Sequence, residues 1–324
     1  MIDYHLHLWA HGPRPLEATL EQIGAYCERA RAAGVVEIAL TEHLFRFRQA
    51  DAVLGGWWAE ADRPSLAAAM GEWWASEQGA DLDQYVEVVL AAKAAGLPVV
   101  LGLEVDHYPG RMHQVAELLA GYPFDVLLGS VHWIGAWGFD NLGPSAFAEE
   151  WDARRVESVW HTYTTHLEEL ADSGVCDVLA HPDLCKVTGR RPAVPDEFFH
   201  RMAEAAARSG MAAEVSSAGW RKPVGEAYPA PALLRRFRRA GVAVTTASDA
   251  HRLADVAEHR GALATLLAEA GYDRLAAYRE RRRRAVPIAA VPLTPVPPVT
   301  GATVGAGASP PKTGPLPSVV VEGS

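Results

Sequence analysis

The stretch PVVLGLEV, residues 98–105, decides the fold class of this sequence. It is almost continuously apolar, as expected of a strand that is buried on both faces of a parallel sheet. It follows the Ala- and Leu-rich segment Asp81–Ala95, whose composition and length predict a helix that ends at Gly96. Strand and helix therefore alternate here, which favours an α/β fold with a parallel sheet.

The same alternation extends outward from this stretch in both directions. Six further apolar runs predict strands at Ile2–Leu8, Val35–Leu40, Asp125–His132, Cys176–His181, Met211–Ser216 and Val242–Ser248. Helices are predicted between them at Leu16–Ala33, Arg111–Ala120, Glu149–Asp172, Asp196–Ser209 and Ala230–Ala240. Seven such strands, without a GxGxxG motif after the first, favour a closed or distorted barrel over a dinucleotide-binding sheet.

An insertion after the second strand, residues 44–80, interrupts the alternation. It carries four of the ten tryptophans, Trp57, Trp58, Trp73 and Trp74. We expect it to be a lid over the barrel mouth or a helical hairpin that packs its indoles on the barrel, and one segment can do both.

The carboxyl-terminal part of the chain differs in composition from the rest. Arg274–Arg284 is predicted to be an Arg-rich helical end with its charges in solvent. Pro, Gly and Ala dominate after it without periodicity, which predicts a disordered tail over residues 285–324. The barrel domain is accordingly assigned to residues 1–284.

Composition restricts the classes of partner and compartment. The chain has 324 residues, 49% of them hydrophobic, and a net charge of −10, so a nucleic acid is not expected as a partner. Three cysteines without a CxxC motif indicate neither a disulfide framework nor a zinc ribbon. The start MIDYHLH is not a signal peptide, and no apolar run approaches the ~20 residues of a membrane span. A cytoplasmic protein is expected.

Histidines and acids are concentrated at or just after the carboxyl ends of the predicted strands. Seven of the 13 histidines and two carboxylates lie there, namely His5, His7, His11, His43, Glu104, His132, His181, Asp249 and His251. These strand ends open on one face of a parallel barrel, so the side chains should converge. Both histidines of the HLH start should project from the same face of the first strand. No role is assigned to the remaining histidines, His107, His113, His161, His166, His200 and His259.

The chemistry of this set is that of a metal centre. Imidazole nitrogens and carboxylate oxygens are ligands of Zn²⁺, Mn²⁺ and Fe²⁺, and the residues do not choose among these ions. Nine candidate ligands exceed the three or four protein ligands of one catalytic zinc ion. The sequence therefore predicts two or three divalent ions.

Six short motifs resemble those of the PHP (polymerase and histidinol phosphatase) superfamily. They are HLH at 5–7, TEH at 41–43, GLEVD at 102–106, GSVH at 129–132, HPD at 181–183 and SDAH at 248–251. The stretches Gly121–Asp140 and Ser217–Pro229 are similar to the histidinol-phosphatase branch. The resemblance implies a distorted, TIM-like (β/α)7 barrel with a trinuclear metal centre at the carboxyl ends of its strands.

The same resemblance distributes the ligands over three ions. Those of the first are implied to be His5, His7, Glu104 and Asp249. Those of the second are implied to be Glu104, as a bridge, with His132 and His181. Those of the third are implied to be His11, His43 and His251. The interval from His7 to His11 is shorter than in many relatives, and Asp3 is not expected to be a ligand.

The reaction that follows as a hypothesis is hydrolysis of L-histidinol phosphate to L-histidinol and phosphate, a step of histidine biosynthesis. A hydroxide that bridges two ions would attack phosphorus. Asp249, Glu104 and His251 are the predicted catalytic residues, and the sequence does not identify the donor of a proton to the leaving group.

Substrate contacts are predicted from charged loop residues that follow strand ends. Lys186 and Arg221 are expected to bind phosphate, and Glu226 with Tyr228 to contact the amine or imidazole of the substrate. The oligomeric state does not follow from the residues.

Three alternatives stay open at this point. The same metals could act on another small phosphomonoester or on a nucleotide. The chain could be a non-catalytic metal-binding module, although none of its ligands is missing. An amidohydrolase also begins with HxH on a barrel strand, but it commonly bridges its ions with a Lys, where this sequence has Glu104.

Overall fold

Seven parallel strands form the central sheet in the computed structural model, which describes residues 1–13, 16–59 and 63–288. They are β1 (Asp3–Leu6), β2 (Ile38–His43), β3 (Val99–Asp106), β4 (Val126–Ser130), β7 (Val178–Leu179), β8 (Ala212–Ser216) and β9 (Val244–Ala247). Each strand pairs with the next one along this series. All seven predicted strands are confirmed, with their ends moved by at most three residues.

The barrel closes where β1 meets the end of β9. The amide of Asp249 donates to the carbonyl of His5 at 2.9 Å, and the amide of His7 donates to that of Ala250 at 2.8 Å. Asp3, which is buried, accepts hydrogen bonds from the main chain and hydroxyl of Ser248. The carboxylate of Asp3 therefore stabilises the contact between β1 and the end of β9 that closes the barrel. The expectation of a barrel is confirmed.

Helices surround the sheet. They are α1 (Leu20–Ala32), α4 (Leu82–Ala94), α5 (Met112–Leu119), α6 (Ser145–Ala153), α7 (Val156–Asp172), α8 (Asp196–Ser209), α9 (Pro231–Arg239) and α10 (Arg260–Glu269). The single helix predicted over Glu149–Asp172 is wrong, because the chain is extended at Arg154 and Arg155 and divides it into α6 and α7. Neither Gly nor Pro marks this break in the sequence. Helix α10 was not predicted.

The insertion contains two helices, α2 (Arg48–Leu54) and α3 (Pro64–Glu77). Its indoles pack on one another and on Trp133, which belongs to a small hairpin of β5 (Trp133–Ile134) and β6 (Trp137–Gly138). The ring centroids of Trp57 and Trp133 are 5.0 Å apart. Trp73, on α3, also lines the cavity at the barrel mouth.

The predicted Arg-rich helical end is wrong, since this segment is an antiparallel hairpin of β10 (Arg274–Arg279) and β11 (Arg282–Pro287). Its two turn residues have φ values of 49° and 63°, as a two-residue hairpin turn requires. Two carboxylates that are distant in the sequence bind arginines of this hairpin. Glu37 binds Arg279 and Arg284, and Asp177 binds Arg281.

This hairpin continues past the predicted domain boundary at residue 284. Residues 289–324, most of the predicted tail, lie outside the described part of the chain. Among the residues that are described, no helix is both long and apolar enough to cross a bilayer.

Candidate metal centre

Glu104, on β3, lies at the centre of the predicted ligands and is buried. Its Oε2 is close to nitrogens of three histidines, His5 at 3.1 Å, His7 at 3.5 Å and His43 at 2.8 Å. Its Oε1 is close to two others, His132 at 3.3 Å and His181 at 3.0 Å. The two oxygens of one carboxylate thus face two separate groups of imidazoles, which is the arrangement of a bridging ligand.

Asp249 approaches the same centre from the end of β9. Its Oδ1 lies 3.5 Å from His7 Nε2 and 3.6 Å from His251 Nδ1. The residue has a φ of 50°, a left-handed conformation that Asp and Asn adopt more readily than most residues. Arg221 donates to the carbonyls of Ser248 and Asp249 at 2.7 and 3.0 Å, which helps to hold this conformation.

His11 lies at the outer side of the cluster. Its ring centroid is 4.7 Å from that of His251 and 5.2 Å from that of His43. Its Nδ1 is 3.3 Å from Glu77 Oε2, and 48% of its side chain is exposed. The structure therefore brings all nine predicted ligands together, with His11 the most exposed of the histidines among them.

Two carboxylates that the sequence analysis missed orient the inner histidines. Glu214 Oε2 is 2.7 Å from His5 Nδ1, and Asp106 Oδ1 is 2.6 Å from His132 Nδ1. Each contact leaves Nε2 of the same ring directed at Glu104, as outer partners of metal-bound histidines do. Against the effect of burial, Glu214 and Glu104 raise the pKa of His5 well above its usual value, so a bound cation must displace a proton there.

The donor set fits divalent cations. Several buried atoms at the centre have no hydrogen-bond partner among the described residues, namely His5 Nε2, both ring nitrogens of His7, His43 Nδ1 and Glu104 Oε2. Leaving such atoms unsatisfied costs about 1–3 kcal/mol each. Groups of three ligand atoms lie within 4.8 Å of one another, including His5 with His7 and Asp249, and His7 with His43 and His251.

Protonation at the centre also suits a cation. Burial opposes ionisation of Glu104 and Asp249, but the imidazoles around them, His5 foremost, hold the pKa of both carboxyls well below the usual range. Burial and a neighbouring histidine hold the pKa of His43 and of His251 well below its ordinary value. Ionised carboxylates and neutral His43 and His251 can bind a cation directly, whereas His5 and His132, whose pKa values are raised by neighbouring carboxylates against the effect of burial, must first lose a proton.

The cluster forms the floor of a cavity of about 480 Å³. Its apolar walls come from Trp73, Trp133, Leu142 and Phe147. Three charged side chains outside the nine predicted ligands also line it, Lys222, Asp140 and Glu77, and Glu77 is paired with Arg46 and His11. The cavity therefore offers the cation of Lys222 and the carboxylate of Asp140 to a ligand above the floor.

The four residues predicted to contact substrate, Lys186, Arg221, Glu226 and Tyr228, do not line this cavity. Lys186 is completely buried, and its Nζ contacts Glu226 Oε2 at 2.6 Å, the Ala227 carbonyl at 2.7 Å and Asp183 Oδ2 at 3.0 Å. Glu226 is held by Lys186, and Arg221 is held by the main chain. Lys186, Glu226 and Arg221 are not in the cavity wall among the described residues. Their contacts support a role in positioning the loops.

Lys186→Met is expected to destabilise the protein by about 3 kcal/mol, because it leaves the buried carboxylate of Asp183 without its cation. The measurement is urea denaturation followed by circular dichroism. Lys222→Met removes an exposed lysine and is the matched control, for which we expect a change within about 0.5 kcal/mol. Equal stability of the two variants would contradict the structural role of Lys186.

Comparison with known proteins agrees with this geometry. The family model of the PHP domain matches residues 5–218. A protein of Deinococcus radiodurans named "Probable histidinol-phosphatase" is 38% identical over 178 residues, which are 54% of this chain and 67% of that protein.

A solved structure shares the fold. The crystal structure of histidinol phosphate phosphatase from Lactococcus lactis, complexed with zinc, L-histidinol and phosphate, has a TM-score of 0.62 at 18% identity. The match covers 87% of this chain and 98% of the other. The expected barrel architecture is thereby confirmed, and with two thirds of its length matched by the family model the chain belongs to the PHP domain family.

Proposed function

We propose that this protein is a metal-dependent phosphomonoesterase that hydrolyses L-histidinol phosphate to L-histidinol and phosphate. The observation that carries the proposal is the position of Glu104, with its two oxygens facing two groups of imidazoles on the floor of a cavity. The similarity to the Deinococcus radiodurans protein supports the choice of substrate.

Two or three divalent ions, of Zn²⁺, Mn²⁺ or Fe²⁺, would be held by the cluster. Glu104 would bridge the set of His5, His7 and Asp249 to the set of His132 and His181. A third ion would be held by His11, His43 and His251. Such ions lower the pKa of water to about 7 and neutralise charge on a phosphoryl group.

Asp249 and His251 are the residues that we assign to proton handling. Oδ1 of Asp249 faces His7, so Oδ2 is left to accept a hydrogen bond from the attacking water and to orient it towards phosphorus. His251 Nδ1 lies 3.6 Å from Asp249 Oδ1 and lines the same cavity, so it can help to hold the carboxylate that orients this water.

The charged residues of the cavity wall match the charges of the substrate. A phosphate monoester carries about −1.5 to −2 charges at pH 7, and the cationic side chain of Lys222 lines the cavity. Histidinol also carries an ammonium group, for which Asp140 supplies a carboxylate in the same cavity. We therefore assign phosphate attraction to Lys222 and amine recognition to Asp140.

Steady-state hydrolysis of three compounds tests the proposal. We expect kcat/KM for histidinol phosphate to exceed that for a hexose phosphate and for a nucleotide by about 100-fold, because only histidinol phosphate satisfies Asp140. Treatment with a chelator should abolish the activity, and added Zn²⁺ or Mn²⁺ should restore it. A preference for the nucleotide would reject the proposed substrate, and activity that survives complete metal removal would reject the mechanism.

A further inference from the structure

A second cluster of metal-binding side chains lies outside the cavity, where α7 meets the loop after β3. It consists of His107, which follows β3, and of His166 and Glu169 on α7. The two α7 residues are three positions apart, so they share one face of the helix. One ligand atom from each of the three residues lies within 4.8 Å of the others.

The spacing in this cluster is that of ligands around one ion. His107 Nε2 is 3.4 Å from Glu169 Oε2, and the ring centroids of His107 and His166 are 5.1 Å apart. Ligand atoms at zinc bond lengths of 2.0–2.2 Å in a tetrahedron are about 3.4 Å from one another. Two histidines and one glutamate are also a known zinc donor set.

The two imidazoles are available as ligands. His107 Nδ1 and His166 Nδ1 are buried and have no hydrogen-bond partner among the described residues. Burial, assisted by His166, lowers the pKa of His107 to about 3, and burial lowers that of His166 despite the nearby Glu169. Both rings are therefore neutral at pH 7, with lone pairs that a cation can use.

The surrounding main chain holds the cluster in place. The amide of His107 donates to the carbonyl of Ser130 at 2.8 Å, and its carbonyl accepts from the Trp133 indole at 3.1 Å. Glu169 is about half exposed, so a water molecule has access to a fourth position.

We propose that His107, His166 and Glu169 form a further divalent metal site, best matched to Zn²⁺, that fastens α7 to the loop after β3. The site is separate from the catalytic cluster and does not depend on the proposed function. Its ion is structural, since the site lies outside the cavity wall.

Zinc binding by the full chain tests this proposal. His166→Gln and Glu169→Gln each alter a ligand that is partly exposed, so both variants should fold. After equilibration in buffered Zn²⁺, we expect each variant to hold one equivalent less than wild type by mass spectrometry. We also expect a smaller zinc-dependent rise in Tm, with phosphatase activity unchanged. The affinity of each variant for this zinc ion should be at least about 10-fold lower than that of wild type.

The matched control is His113→Gln, an exposed histidine on α5, which should keep the full zinc content. Unchanged zinc content in His166→Gln and Glu169→Gln would overturn the proposal, and so would an equal loss in the control. A wild-type protein without phosphatase activity would reject the proposed function but would leave this measurement unaffected.

Discussion

Glu104→Gln is expected to lower kcat for histidinol phosphate by about 10³-fold or more, a larger loss than the 10–100-fold that outer partners of metal ligands produce. One carboxylate serves both groups of imidazoles, and its pKa, held well below the usual range, keeps it ionised. The amide of Gln has no charge and presents NH₂ to one of the two groups. The variant should therefore lose bound ions as well as activity, which metal analysis and phosphate release will measure.

A buried glutamate elsewhere provides the control for this experiment. Glu150, on α6, is 2% exposed and pairs with Arg63 and Arg154. Glu150→Gln removes a carboxylate of similar burial, so it should reduce stability and leave kcat within about threefold of wild type. Comparable activity losses in the two variants would show that the effect of Glu104→Gln comes from the fold, and the bridging role would be rejected.

The convergence of the nine candidate ligands could be predicted from the sequence because their position follows from the architecture. Once alternating strands and helices indicate a parallel barrel, the residues at the carboxyl ends of its strands must meet. His5, His7 and Glu104 needed only that rule. Glu214 and Asp106 were also detectable, as charged residues in otherwise apolar strands, but their direction depends on the registers of neighbouring strands.

The direction of a loop side chain was not predictable in the same way. Lys186 and Lys222 both follow strand ends, yet the first turns into the protein towards Asp183 and the second lines the cavity. That difference is decided by partners remote in the sequence. The hairpin of β10 and β11 was missed for the same reason, since its arginines are ordered by Glu37 and Asp177, which are remote in the sequence.

Asp249→Asn is expected to reduce kcat by about 10²- to 10³-fold and to change KM by less than about threefold, because it removes an acceptor used during the reaction and not a substrate contact. Asn occupies the same volume and tolerates the left-handed conformation of this position. The contacts with His5 and Arg221 that hold residue 249 involve its main chain, so they survive the substitution.

A buried aspartate at the opposite end of the barrel provides the control. Its substitution shows what the loss of a buried charge does when the residue lies far from the cavity. Asp125 precedes β4 and binds Lys93 and the amide of Leu101. Asp125→Asn should lower Tm while kcat stays within about threefold of wild type. In Asp249→Asn we expect the reverse, a nearly unchanged Tm with a large loss of kcat. If Asp249→Asn keeps more than about a tenth of wild-type kcat, its Oδ2 does not orient the attacking water, and that task must belong to another cavity residue.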